Sequence, residues 1–458
     1  MRLLIGAGAV LVLAAGYGVY SVNGMARIAS AYKAKAFCSE AFLAKRDPVA
    51  IAEHEFEGVS PYIDRAEAHV DGEKKEVRVS LYGLGSARAF FREGYGCTIE
   101  SGGIEELPAL EPIADVPWPD STQSPNLLRR VDYGEIGKAL DAAFADEKAG
   151  HRAFVAIVDG RLVAERYAPG FSAQTPMLSW SAAKSVTATL VGAAALQGYL
   201  KVEDPAPVPE WRGDARRSGI TWNDLLRMQS GLEFSEEYGD PGSDVSATLF
   251  RARDAGSIAA KKPLISPPGA VWYYSSGTTN LLMRTLRQVL AGRGVELQAF
   301  ARETVFGPIG APSFTLEPDS GGTPIGSSYI YATARDWARL GELYLRGGMW
   351  GGARLLPEGW VDYVTTPTTA SNGEYGAHFW LNSDGEGRAR FVPGLPEGAY
   401  YMAGHEGQYV FIVPDKNAVI VRLGMTRGAV PIEVAGPVVA TIAAAVSDLP
   451  LAEPVAAE

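Results

Sequence analysis

Leu178-Ser179-Trp180-Ser181-Ala182-Ala183-Lys184-Ser185 opens an apolar stretch that runs to Leu200, and Lys184 is the only charged side chain in it. The pattern predicts a buried helix with a short polar entrance. On a helix, Ser181 and Lys184 lie three residues apart, project from one face and can touch. A serine hydroxyl is a weak nucleophile until a neighbouring base takes its proton. Lysine takes that proton only in its neutral form, and an apolar site near the positive end of a helix favours that form. Ser-x-x-Lys also arises by chance, usually with the lysine in solvent, so the pair acquires meaning only from what surrounds it.

Two later segments supply that context. Pro267-Pro268-Gly269-Ala270-Val271-Trp272-Tyr273-Tyr274-Ser275-Ser276-Gly277 is a turn, then aromatic residues, then small polar ones before a helix that starts near Thr278. A tyrosine here can relay the serine proton to a leaving group while a nearby hydroxyl orients the lysine; the alternative is an aromatic packing turn. Ala403-Gly404-His405-Glu406-Gly407-Gln408 leads into a strand, with His405 between glycines at its edge. Glycines let a substrate backbone lie against such an edge, and the strand can offer an N–H to an oxyanion hole. A structural histidine is the alternative reading.

A helix over 133–148 precedes apolar runs at 154–158 and 161–167. Asp159-Gly160 between them is a hairpin signal. A second strand pair, 408–413 and 418–424, is joined by Pro414-Asp415-Lys416-Asn417, and a helix over 431–446 follows. Strands at both ends of a region whose middle is helical predict an antiparallel sheet closed by the two ends and flanked by helices. At the other end of the chain, a helix over 25–46 stops before Pro48. Strands at 66–70 and 76–81 then flank Asp71-Gly72-Glu73. The resulting division is a leader at 1–26, a small α+β domain at 27–106, a Pro-rich linker at 107–128 and a large domain at 129–458.

Residues 3–22 carry no charge and match the roughly 20 residues that span a bilayer, which favours an uncleaved signal anchor over a cleaved signal peptide. The expected location is periplasmic or extracytoplasmic, on the inner membrane. Cys38 and Cys97, the two cysteines of the chain, are expected to pair in that oxidising setting, the alternative being two unrelated buried thiols. Neither belongs to a metal-ligand pattern, so no metal is expected. A net charge of −11 without clustered Lys and Arg excludes nucleic acid as a partner.

Ser-x-x-Lys, Tyr-Ser-Ser and His-x-Gly in this order resemble the three signature elements of the serine β-lactamase and penicillin-binding protein superfamily. Ile220-Thr221-Trp222-Asn223-Asp224-Leu225-Leu226-Arg227-Met228-Gln229-Ser230-Gly231-Leu232 and Tyr331-Ala332-Thr333-Ala334-Arg335-Asp336 narrow the resemblance to its class C-like branch. That branch includes 6-aminohexanoate-dimer hydrolases and β-lactamase-like esterases. The resemblance covers roughly 130–448 and implies a β-lactamase/transpeptidase-like fold of the mixed α/β (α+β) class. It implies Ser181 as acylated nucleophile, Lys184 as base and Tyr274 as relay. Ser181 and Gln408 N–H groups form the implied oxyanion hole, and Ser276, His405 and Gly407 contact substrate. Tyr273 with Ser275 is a second way to place the Tyr element.

Two departures point one way: Ser276 stands where the family commonly has Asn, and His405-Glu406-Gly407 where it commonly has Lys-Thr-Gly. A permanent lysine charge suits the carboxylate of a penicillin better than a partly protonated histidine does. The expectation is a serine hydrolase acting on a small ester, amide or short peptide, with no cofactor. A D-amino-acid-specific peptidase or β-lactamase, and an inactive penicillin-binding-like sensor, are the rival readings.

Overall fold

The computed structural model of the chain describes residues 22–114, 128–383 and 390–448. The anchor expected at 3–22 lies outside them except for Val22, as do residues 115–127 of the Pro-rich stretch. Among the described residues no helix is long and apolar enough to cross a membrane. The chain forms two compact units, one of Met1–Pro108, Phe234–Ile258 and Glu317–Pro324, the other of the remainder. The small domain expected at 27–106 therefore shares its unit with two segments from far along the sequence.

In the first unit a helix over 22–38 passes into a π-helical turn, Ser39–Leu43, and ends ahead of Pro48. Four strands, β1 (Glu67–Asp71), β2 (Glu76–Leu81), β3 (Leu84–Arg92) and β4 (Gly96–Ile99), form an antiparallel sheet in that order. Asp71 pairs with Glu76 across the first hairpin, and its side chain accepts from Glu73 N and Lys74 N. Such an Asx turn is a physical reason for Asp at this position. Ala29, Ala34 and Phe37 of the helix pack on Ile51, Phe56, Val77, Val79 and Ala89. A disulfide joins Cys38 to Cys97, Cα atoms 6.0 Å apart. Closing a loop of 59 residues stabilises by roughly 4 kcal/mol in the chain-entropy account.

Beside that disulfide the carboxylate of Glu317 is fully enclosed. It pairs with Lys35 and accepts from Ser39 Oγ at 2.8 Å and Cys97 N at 2.6 Å. Burial pushes the Glu317 carboxyl up and the Lys35 ammonium down, each partly countered by the other. A buried pair of this kind is tolerated because its hydrogen-bonding capacity is met.

The second unit is built on six antiparallel strands. In chain order, β5 (His151–Val158) and β6 (Arg161–Tyr167) form a hairpin, and β7 (Met177–Leu178), β8 (Thr315–Leu316) and β9 (Ile330–Ala332) form a separate small sheet. After the ribbon β10 (Met349–Trp350) and β11 (Ala353–Arg354) come β12 (Trp380–Leu381), β13 (Tyr400–Gly404), β14 (Gln408–Val413) and β15 (Ala418–Gly424). The main sheet has the order β12-β13-β14-β15-β5-β6, so the two ends of the unit meet where β15 pairs with β5. Asp159 and Gly160 both have positive φ, 52° and 73°, as a two-residue hairpin turn of the primed type requires.

One face of this sheet packs on helices Tyr133–Ala145 and Pro431–Ala444 through Ile136, Leu140, Phe154, Ile420, Val439 and Ile442. On the other face helix Ala334–Leu345 comes so close at Gly341 that a Cβ there would meet Val419 Cγ1 at 2.6 Å.

Candidate active site

The Ser181 segment leaves β7, makes a 3-10 turn over Trp180–Ala182 and continues as helix Ala183–Leu196, whose residues 183–194 are all buried. The turn is held from outside: Ser179 N donates to Ile330 O at 2.9 Å, and Ser179 Oγ to Ser328 O at 3.3 Å. Trp180 has φ of +44°, a strained value for a bulky side chain that persists only where the surroundings over-determine it.

Lys184 is buried, and its Nζ donates to Ser181 Oγ at 3.0 Å, Ser276 Oγ at 3.1 Å and Ser327 O at 3.2 Å. Among the described residues no carboxylate stands within ion-pair distance of it. The Nζ lies 4.6 Å from the centre of the Tyr274 ring, which packs on Trp380 at 5.6 Å and Tyr375 at 6.1 Å.

The geometry separates the two candidate tyrosines. Tyr273 is 49% exposed, and Ser275 caps helix Ser276–Ala291 by accepting from Thr278 N at 3.0 Å. Tyr274 and Ser276 are the pair that faces Lys184.

Three groups at this centre were not foreseen from the sequence. Ser327 offers its carbonyl to Lys184, and Asn280 holds it in place by donating to Ser327 Oγ at 2.9 Å and accepting from Ser327 N at 3.3 Å. A backbone acceptor has no residue-type signature. His378 is buried with φ of +62°. Its Nδ1–H donates to Leu226 O at 2.6 Å, which leaves Nε2 to accept from Thr279 Oγ1 at 3.0 Å. Ser185 Oγ donates to His378 O at 2.6 Å, so this residue braces the helix of Lys184 against that of Ser276. Burial, opposed by the Leu226 carbonyl and reinforced by Lys184, brings His378 down to about 3, and the ring is neutral.

At the strand edge, β13 ends against the Trp180–Ala182 turn. A Cβ on Gly404 would lie 2.1 Å from Ser179 O and 3.2 Å from Ala182 N, and the His405 ring meets Trp180 edge-on at 5.7 Å. The absence of a side chain at Gly404 is therefore what lets β13 approach the turn at 179–182 this closely. Gly407, with φ of +89°, would carry a Cβ 2.2 Å from Arg422 Nη1. Desolvation holds His405 below the ordinary histidine value, with Glu406 opposing and Arg427 assisting.

The Gln408 N–H, the oxyanion donor expected from the sequence, is oriented by the sheet. Gln408 bonds both main-chain groups of Gly424 through its side chain, which turns Gly424 and Arg422 toward β14. Tyr409 opposite Arg422 then faces β15, and Gln408 faces Gly404 within the hairpin. The peptide N–H that points out of the ladder at this end is that of His405, on the side of β13 where β12 pairs only with Tyr400 and Tyr401.

Among the described residues there is no group of His, Cys, Asp and Glu able to hold a metal.

Residues 140–441 match the family described as Beta-lactamase. The 6-aminohexanoate-dimer hydrolase of Paenarthrobacter ureafaciens is 28% identical over 297 residues, 59% of this chain and 71% of that protein. Among solved structures, a penicillin-binding protein homolog from Caulobacter crescentus aligns with a TM-score of 0.54 at 17% identity, covering 68% of this chain and 97% of that one. EstCE1, a hydrolase with promiscuous acyltransferase activity, aligns with a TM-score of 0.53 at 17% identity, covering 69% and 99%. These likenesses carry the β-lactamase/transpeptidase-like fold expected from the three motifs. With its match extending from the first helix of the second unit to the last, the chain belongs to the beta-lactamase family.

Proposed function

We propose that the chain is a serine hydrolase that transfers the acyl group of a small ester or amide to Ser181 and then to water. The observation that carries this is the environment of Lys184 Nζ, shared by Ser181 Oγ, Ser276 Oγ and Ser327 O. A carbonyl oxygen can only accept, so Ser327 takes one N–H of the amine, and the Ser276 hydroxyl takes a second. The third tetrahedral position of Lys184 Nζ is then directed at Ser181 Oγ, and it is the position that receives the Ser181 proton. As Ser181 Oγ adds to the substrate carbonyl, its proton passes to Lys184. The carbonyl oxygen gathers negative charge opposite the N–H groups of Ser181 and His405.

Collapse of the tetrahedral species breaks the bond to the leaving group, which takes up the proton. Tyr274 serves as its relay. Its ring covers Lys184, and among the described residues nothing bonds its hydroxyl. Water then repeats the sequence on the acyl-enzyme. His405, held toward its neutral form, offers no fixed charge for a substrate carboxylate, which favours neutral esters and amides over penicillins. The relative named for hydrolysis of 6-aminohexanoate dimer is in keeping with an amide as the bond cleaved.

Export belongs to the same proposal: residues 3–22 anchor the chain and the Cys38–Cys97 disulfide is kept in an oxidising compartment. The test is intact-mass analysis after exposure to a fluorophosphonate and to a panel of esters, D-peptides and β-lactams. A single adduct on the Ser181 peptide, lost in Ser181→Ala, is the expected result. An adduct elsewhere, or undiminished ester turnover by Ser181→Ala, would refute the assignment.

A further inference from the structure

Arg422 lies in β15 with no solvent exposure, and among the described residues it has no carboxylate partner, since Glu406 pairs with Arg427. A buried cation without a counter-charge is costly unless every donor is used. Here every donor is used. Nε donates to His151 Nδ1 at 3.0 Å, and Nη2 to Ala149 O at 3.0 Å, Gly150 O at 3.2 Å and Thr426 Oγ1 at 2.6 Å. Nη1 donates to Glu406 O at 2.9 Å and Gly407 O at 2.7 Å. Those last two carbonyls belong to the turn His405–Gly407 that ends β13.

That turn holds Glu406 at a strained φ of +59° and Gly407 at +89°, a value open to glycine. Its remaining carbonyl, His405 O, accepts from Gln408 Nε2 at 3.0 Å. A trans peptide is planar, with its C=O and N–H pointing opposite ways. Three carbonyls drawn inward in succession therefore hold the turn that starts at His405, whose N–H lies opposite Gly404 O in its own peptide and so points out of the ladder.

We infer that Arg422 is a positioning residue for acyl transfer, a buried clasp that fixes the turn at the end of β13 and with it the direction of the main-chain oxyanion donor. This rests on the hydrolase reading above. Arg422 touches neither substrate nor Ser181. It acts through the Glu406 and Gly407 carbonyls.

The experiment compares a chromogenic ester with its thionoester analogue in the full chain and in Arg422→Lys. Sulfur is a weak acceptor, so the thionoester gains little from oxyanion donors, whereas partial unfolding lowers both rates alike. The expected result is a kcat for the ester lowered about 10²-fold, with KM little changed. The ester-to-thionoester ratio of kcat/KM falls by at least about tenfold. An unchanged ratio, whatever the change in Tm, overturns the inference.

If Arg422→Lys does not fold, Gly407→Ala decides by the same ratio, since its Cβ would displace Nη1 without removing the charge. Fluorophosphonate labelling of wild-type Ser181 separates the two levels. No labelling removes the hydrolase reading and this inference together, whereas labelling with an unchanged ratio removes Arg422 alone.

Discussion

Gly404→Ala is the sharpest perturbation of the site that leaves every chemical group in place. The residue has φ of −136° and ψ of 160°, which alanine adopts without strain, so the effect is steric alone. The added Cβ would stand 2.1 Å from Ser179 O, where contacts below 3.0 Å are essentially never seen, and 3.1 Å from Gln408 Cβ. Either β13 or the nucleophile turn has to shift by about 1 Å, and a misplacement of that size costs about 10²-fold in rate, equivalent to about 3 kcal/mol. Overpacking adds about 1–3 kcal/mol of destabilisation.

The assay is kcat/KM on a small chromogenic ester, read beside the thermal midpoint. Gly137→Ala is the control: it lies in helix Tyr133–Ala145, a Cβ there meets nothing within 4 Å, and alanine stabilises a helix interior by up to about 1 kcal/mol. The expected outcome is a loss of about two orders of magnitude in Gly404→Ala against unchanged activity in the control. Wild-type kcat/KM in Gly404→Ala would show that the packing of β13 on the turn does not set the site.

Tyr274→Phe should lower kcat about 10²-fold while Tyr273→Phe leaves it within about twofold, by steady-state kinetics on one ester; the reverse order would move the relay to Tyr273. Glu317→Gln leaves Lys35 buried without its counter-charge, and urea unfolding should show a loss of about 3–5 kcal/mol, with no loss arguing that the pair is open to water. His378 is held down to about 3, so the unfolded chain takes up a proton near the ordinary histidine value of about 6.5 while the folded chain does not. Its contribution is complete above pH 6.5 and is lost as pH falls toward 3. Relative to His378→Gln, wild type should lose on the order of 3 kcal/mol between pH 6.5 and 4. Asp319, raised to about 7 by burial, acts in the opposite sense but equally in both proteins, so parallel pH–stability curves would refute the assignment to His378.

What could be read from the sequence follows from how locally each feature is encoded. Ser181 and Lys184 are placed by one helix start, so spacing alone brings them together, whereas Tyr274 with Ser276 and Tyr273 with Ser275 share one spacing and only the fold separates them. Asp159-Gly160 specifies its hairpin by backbone chemistry confined to two residues. By contrast, Lys35 meets Glu317 across 282 residues, and nothing near either one marks the pair. His378 and Arg422 look unremarkable in sequence because their roles are created by enclosure, which turns an ordinary histidine into a neutral brace and an ordinary arginine into a clasp.

The same distinction applies to Gly404 and Gly407. A glycine reports only that something comes close, and in this fold what comes close is Ser179 O and the Arg422 guanidinium. The order of the sheet decides in the same way which main-chain N–H points out of the ladder at the end of β13. Whether a main-chain N–H faces a neighbouring strand or open space depends on the register of β13 against β14, a relation between two segments that the composition of neither contains.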